Sequence, residues 1–172
     1  PYQEITNITH FWDKGDLRGN PVGPFYNADS ITGILYNDKR FSRIYYVLVR
    51  AALAKYYDTI QANCTFFAPM DHYLSNIPEG VFVNMDRGTA RGIIKVLTLD
   101  RRIPYELIAD APISNYHTRL PPNKLFITNV SGETYINNSI RVTPGDIRAN
   151  NGIVILIEGL IWPEMDIGSP MY

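Results

Sequence analysis

The stretch Asn150-Asn151-Gly152-Ile153-Val154-Ile155-Leu156-Ile157-Glu158-Gly159-Leu160-Ile161-Trp162-Pro163 decides how the rest of the chain must be arranged. Ile153 to Ile157 are all leucine or β-branched; an Asn-Gly turn signal opens the run and Pro163 closes the segment. So short an apolar run, bounded by turn chemistry, reads as a strand buried on both faces, because a half-exposed strand would alternate with polar residues. It falls well below the ~18 apolar residues of a membrane helix, and no run of that length occurs elsewhere in the chain. A strand covered on both sides needs a partner sheet and helices from the chain before it.

The chain has 172 residues, 45% of them hydrophobic and 12% aromatic, enough for one core rich in large side chains. A formal charge of −1 gives no overall pull toward nucleic acid or anionic lipid, so a charged partner has to be met by a local patch. Cys64 is alone, which excludes an internal disulfide. The chain opens on Pro1 without a basic start and an apolar leader-like stretch. The simpler expectation is a cytosol-made protein with an initiator Met removed; the alternative is a leader already cut away.

Residues 1–37 read as an extended arm. Phe11 to Asn27 mixes three glycines and two prolines with four aromatic rings, Phe11, Trp12, Phe25 and Tyr26. Glycine and proline oppose regular structure, while aromatic rings are unusual in a solvated linker. The arm therefore lies on something: its own domain, or a neighbouring subunit that it clamps. From Asp38 a helical stripe (Phe41, Ile44, Tyr45, Leu48, Ala51, Ala52) predicts a helix or broken pair to about Gln61. Cys64 to Ala68 reads as a short buried strand stopped by Pro69, with Asp71 as a cap for the turn that follows. A second helix is predicted over Met85–Leu97, with Ala90, Ile93, Ile94 and Leu97 inward and Arg87, Arg91 and Lys95 along another face. A short piece at Tyr105–Asp110 and a loop over Ser114–Asn123 follow. Strands at Lys124–Val130, Glu133–Ile136, Ser139–Val142 and Asp146–Ala149 are separated by Ser131-Gly132, Asn137-Asn138 and Thr143-Pro144-Gly145-Asp146 turns. Residues 164–172 form a tail without periodicity.

This order of pieces resembles the fasciclin (FAS1) domain family. Thr65-Phe66-Phe67-Ala68-Pro69-Met70-Asp71 is similar to the family's T-x-F-A-P-[TS]-[ND] box, and Asp146-Ile147-Arg148-Ala149-Asn150-Asn151-Gly152 leading to Pro163 is similar to its closing D-I-x-A-x-N-G box. The likeness spans 38–163 and implies a single α+β domain of mixed and antiparallel sheet wrapped by several helices, with the arm and tail outside it. The family's Tyr-His pair after the central helix, implicated in integrin contact and stability, is replaced here by Leu97-Thr98. A second family histidine corresponds to Ile155, and Met70 stands where a hydroxyl residue is usual. These departures argue against receptor recognition of the animal adhesion type and leave the scaffold intact.

Little in the sequence points to catalysis. His10, His72 and His117 are scattered, without metal-ligand spacing, and there is no C-x-x-C, G-x-S-x-G or phosphate-binding loop. Cys64, in a strand beside Phe66 and Phe67, reads as a packing residue. Arg87, Arg91 and Lys95, continued by Arg101 and Arg102, form either a solvated helix face or a dock for an acidic protein surface; no aromatic or glycine-rich nucleic-acid reader accompanies them. Four N-x-[ST] sequons start at Asn7, Asn63, Asn129 and Asn137. Asn63, before a buried strand, reads as a poor acceptor, whereas Asn129 and Asn137 sit at hairpin ends.

The expectation is thus a non-enzymatic interaction protein with no cofactor, no metal, no nucleic-acid partner and no membrane span. Its arm residues Phe11, Trp12, Phe25 and Tyr26 and its basic face Arg87, Arg91 and Lys95 would attach it to other subunits of a larger assembly. A minor capsid component of a large virus particle is one such assembly; the alternative is a secreted or cell-surface adhesion domain.

Overall fold

A computed structural model of the chain describes residues 26–164. The apolar run is strand β7 (Gly152–Ile157), buried along its whole length. It pairs in parallel with β1 (Cys64–Pro69), from Cys64 opposite Gly152 to Pro69 opposite Ile157. On its other side it runs antiparallel to β6 (Ile140–Ala149). With β2 (Thr98–Leu99), β3 (Ile113–His117), β4 (Lys124–Val130) and β5 (Glu133–Ile136) the seven strands form one mixed sheet in the order β2-β1-β7-β6-β5-β4-β3. A parallel neighbour cannot be reached through a tight turn, so most of the chain lies between β1 and β7.

Among the described residues five α-helices accompany the sheet: α1 (Ile31–Asn37), α2 (Ser42–Arg50), α3 (Glu79–Val83), α4 (Arg87–Val96) and α5 (Tyr105–Ile108). In α4 the Asp86 carboxylate accepts from Thr89 N at 2.7 Å and starts the helix, while Ala90, Ile93, Ile94 and Leu97 are fully buried as their spacing predicts. Tyr45, Leu48, Phe66, Phe67, Val154 and Ile155 join them in a continuous core.

Several expectations are corrected. The arm does not extend to residue 37: Ser30 caps α1, its hydroxyl accepting from Gly33 N at 2.9 Å, and Ile31 and Leu35 are fully buried. Ile31, Ile34 and Leu35 carry helical spacing, a signal masked by the Gly/Pro-rich composition just upstream. Of the helix or broken pair expected to about Gln61, α2 stops at Arg50, where Ala52 turns left-handed (φ 59°), and the remainder to Ala62 is short 3-10 turns rather than a second α-helix. Asp71 does not cap its own turn; its carboxylate accepts from Arg43 N at 2.8 Å and so caps the first turn of α2. The loop expected over Ser114–Asn123 begins with strand β3, whose polar residues fit because it is an edge strand. Thr143 to Asp146 is no turn: Pro144 and Gly145 (φ 103°) form an irregularity within β6, where the register shifts between Val142 and Asp146.

Candidate functional site

The root of the arm is held by a tyrosine cluster. Tyr26 and Tyr45 hydroxyls lie 3.0 Å apart, and Tyr26 packs edge-on against Tyr36 and Tyr45 with ring centroids 5.6 and 6.1 Å away. Asn27 N donates to Asp58 Oδ1 at 3.0 Å. Tyr26 thus packs on its own domain, while Phe11, Trp12 and Phe25 lie outside the described residues.

Beneath this cluster, Asn151 ties the helical layer to the β6–β7 turn. Its Oδ1 accepts from Ile31 N at 2.9 Å, and its Nδ2 donates to Tyr57 O at 2.7 Å and Thr59 O at 2.8 Å. The side chain is fully buried and is the partner of Ile31 N–H and Tyr57 C=O, while Thr59 C=O also accepts from Ala62 N at 3.2 Å. Gly152 follows because the backbones nearly touch there: a Cβ would sit 2.2 Å from Cys64 O. At the position of the family's Tyr-His pair, the Thr98 hydroxyl meets Tyr57 OH at 2.8 Å and donates to Ile94 O.

The basic residues of α4 have different surroundings. Arg87 is exposed, whereas Arg91 Nη1 donates to Ala51 O at 3.0 Å and Lys95 is half-buried. Arg102 reaches Asn63 Oδ1 at 2.8 Å and Asn150 O at 3.2 Å, and Arg101 lies over the Tyr116 ring. Arg119, within the expected loop, was not legible as a site. It pairs with Asp100, donates to Ala62 O and lies 5.7 and 5.8 Å from the Tyr56 and Tyr57 ring centroids. Burial opposes its charge, but the bond to Asp100 and the neighbouring Tyr57 and Cys64 outweigh that and raise its pKa.

Groups with reactive potential are held in the fold. Burial pushes the Cys64 thiol up to about 12, which leaves it protonated at neutral pH. Glu158 accepts from Arg141 Nη1 at 2.7 Å and Thr143 Oγ1 at 2.8 Å. Asp146 accepts from Tyr105 N at 2.7 Å and Arg148 Nε at 2.9 Å. His72 packs edge-on against Tyr73, while His117 is exposed on β3. Among the described residues no group of three His, Cys, Asp or Glu side chains could hold a metal ion.

At the far end of the sheet the face turned from the core is open. Register pairs Ile113 with Thr128, Asn115 with Phe126, His117 with Lys124 and Thr128 with Tyr135, placing these residues on one face. The opposite face of β4 carries the buried Leu125 and Ile127. Ile113 and Val130 are each 62% exposed. Toward β6 the open face becomes charged, with Glu133 linked to Arg141 at 3.0 Å and Arg141 to Glu158.

This architecture is that of a fasciclin-type scaffold, an α+β domain whose central strands are locked by helices and whose outer sheet is a meander. The chain belongs to the fasciclin family: the model for the fasciclin domain matches residues 39–163. Among solved structures, the chain is similar to the FAS1 domain pair from the insect cell adhesion molecule Fasciclin I, with a TM-score of 0.62 and 17% identity. The match covers 86% of this chain and 53% of that one, so the chain spans about half of the domain pair. Nothing matches among curated protein sequences.

Proposed function

We propose that this fasciclin domain is a non-enzymatic protein-interaction module, fastened to other subunits of a larger assembly through the segment before Tyr26 and through the basic face of α4. The observation that carries the reading is the use of its polar groups. Arg91, Arg119, Asp71, Asp146 and Asn151 hold backbone groups and Glu158 is taken by the Arg141 and Thr143 side chains, which leaves faces rather than a reactive cluster as the means of acting. Phe11, Trp12 and Phe25 supply anchor-type side chains on either side of a stretch that carries three glycines and two prolines. A minor structural subunit of a large virus particle fits this reading, with protein rather than nucleic acid as partner.

A second reading, a secreted or cell-surface adhesion module, is favoured by the likeness to the insect cell adhesion molecule. No helix among the described residues is long and apolar enough to cross a membrane. Deleting residues 1–25 tests the first reading, and the cut must stop there because α1 belongs to the core. The expected outcome is an unchanged melting temperature with loss of co-purifying subunits. Unchanged retention by both this deletion and the Arg87→Glu/Lys95→Glu variant overturns the reading.

A further inference from the structure

We infer that the outer edge of β3 is the receptor for the arm of a second copy of this chain, with residues 5–12 adding as a further strand to the sheet. This rests on the arm-docking reading and names its partner and acceptor. β3 ends the sheet, and among the described residues no strand lies on its far side. Its pairing alternates in a way that fixes which backbone groups face outward. Pro112 O accepts from Asn129 N, and Thr118 N donates to Asn123 O. The ladder with β4 therefore uses the even-numbered residues, and the N–H and C=O groups of Ile113, Asn115 and His117 point away from the sheet. The opposite edge offers no comparable template, since β2 has only two residues.

Edges of this kind are usually blunted by proline, lysine or an inward charge within the strand. β3 reads Ile-Ser-Asn-Tyr-His and has none of these. Beside it lie Ile113, Phe126 and Val130 on the open face, an apolar patch that a docked strand's side chains would cover. The chain before Tyr26 supplies the matching element. Ile5-Thr6-Asn7-Ile8-Thr9-His10-Phe11-Trp12 is β-branched and aromatic, bracketed by Glu4 and Asp13 with no Asp, Glu, Lys or Arg between. Between Trp12 and Tyr26 the glycines and prolines make a spacer that can reach on the order of 40 to 50 Å when extended. The arm's root lies beside the start of β7, where Asn150 N donates to Asp29 O at 2.8 Å, and β3 is four strands beyond β7, about 20 Å at the usual strand spacing. The chain's own β3 edge is thus also within reach, and a monomeric parent is the result that docking there would give. Arm-to-edge docking between copies is head-to-tail, so it builds rings or open chains.

The test uses two full-length variants. Asn115→Pro removes an outward N–H without touching the β3–β4 ladder, and Ile8→Asp places a charge in the arm's apolar run. Sedimentation velocity over a concentration series should show self-association of the parent and at least about a tenfold loss of affinity in each variant. Mixing the two should restore a 1:1 complex and nothing larger, because only one productive arm-edge pair remains. Circular dichroism and melting temperature should match the parent; if Asn115→Pro does not fold, Ile113→Lys replaces it as the edge variant. A parent that is monomeric throughout, variants that associate like the parent, or a mixture that stays monomeric each overturns the inference. A monomeric parent that still loses its other subunits when residues 1–25 are deleted refutes this receptor and leaves the arm-docking reading standing.

Discussion

Replacing Asn151 by alanine should bring the domain close to unfolding, although only one small side chain is lost. The change strips the partner from Ile31 N–H and Tyr57 C=O, while Thr59 C=O keeps Ala62 N. The two stripped groups are in fully buried surroundings, where an orphaned group costs about 1 to 3 kcal/mol. The sum, roughly 2 to 6 kcal/mol, is a large fraction of the ~5 to 15 kcal/mol that holds a domain together. At about 2 to 4 °C per kcal/mol for a chain of this size, the melting temperature should fall by roughly 4 to 24 °C. Urea unfolding followed by far-UV circular dichroism should show a lower midpoint with an unchanged slope. Asn151→Asp adds a sign test. Its carboxylate would face two carbonyl oxygens, so its folded pKa would lie above the unfolded value of about 3.9. Its contribution is then most favourable below that pH and is lost as pH rises through the folded pKa, making this variant relatively more stable in mild acid. The control is the exposed Asn115→Ala. An Asn151→Ala loss within about 1 kcal/mol of that control would refute the assignment of Asn151 as the tie between layers.

Gly152→Ala should cost about 3 kcal/mol or more, because the new methyl meets Cys64 O at 2.2 Å and Ile31 Cδ1 at 2.9 Å. Gly132→Ala, with nothing near its Cβ, should cost only the ~1 to 2 kcal/mol of its positive φ; denaturant midpoints compare the two. Burial pushes both the Cys64 thiol and the Tyr57 hydroxyl up to about 12 from ordinary values of 9.0 and 10.0. Their neutral forms are favoured by folding, so this stability is complete below about pH 9 and is lost as pH rises toward 12. Unfolding midpoints across that window should fall, more gently in Cys64→Ala, and a thiol reagent at pH 8 should label Cys64 only as fast as the domain opens. Expressed behind a secretory leader, the chain should carry a glycan at Asn137 on its exposed turn. Asn129 should carry none, because its Nδ2 donates to both Ile108 O and Ala111 O; intact mass and peptide mapping decide this.

What the sequence made legible follows from how local each signal was. β1, β7 and α4 could be read because burial on both faces, or on one helical stripe, writes itself into consecutive residues. The two boxes of the family likeness lie on strands that pair along six residues, so the motif and the centre of the sheet are one physical feature. β3 was illegible for the opposite reason: an edge strand with one partner tolerates Ser114, Asn115 and His117, and such a sequence resembles a loop. Helix α1 was hidden by its neighbours, although Ser30 and the Ile31, Ile34, Leu35 spacing carried a start signal and a face. Asn151 and Asp71 could be placed in their motifs but not given their partners, which lie 120 and 28 residues away along the chain. Arg91 looked equivalent to Arg87 and Lys95 because helical spacing gives only the face, yet Ala51 O takes one of its donors. The partner surface proposed on α4 would therefore centre on Arg87 and Lys95, with Arg91 contributing charge from a side chain already tethered to its own domain.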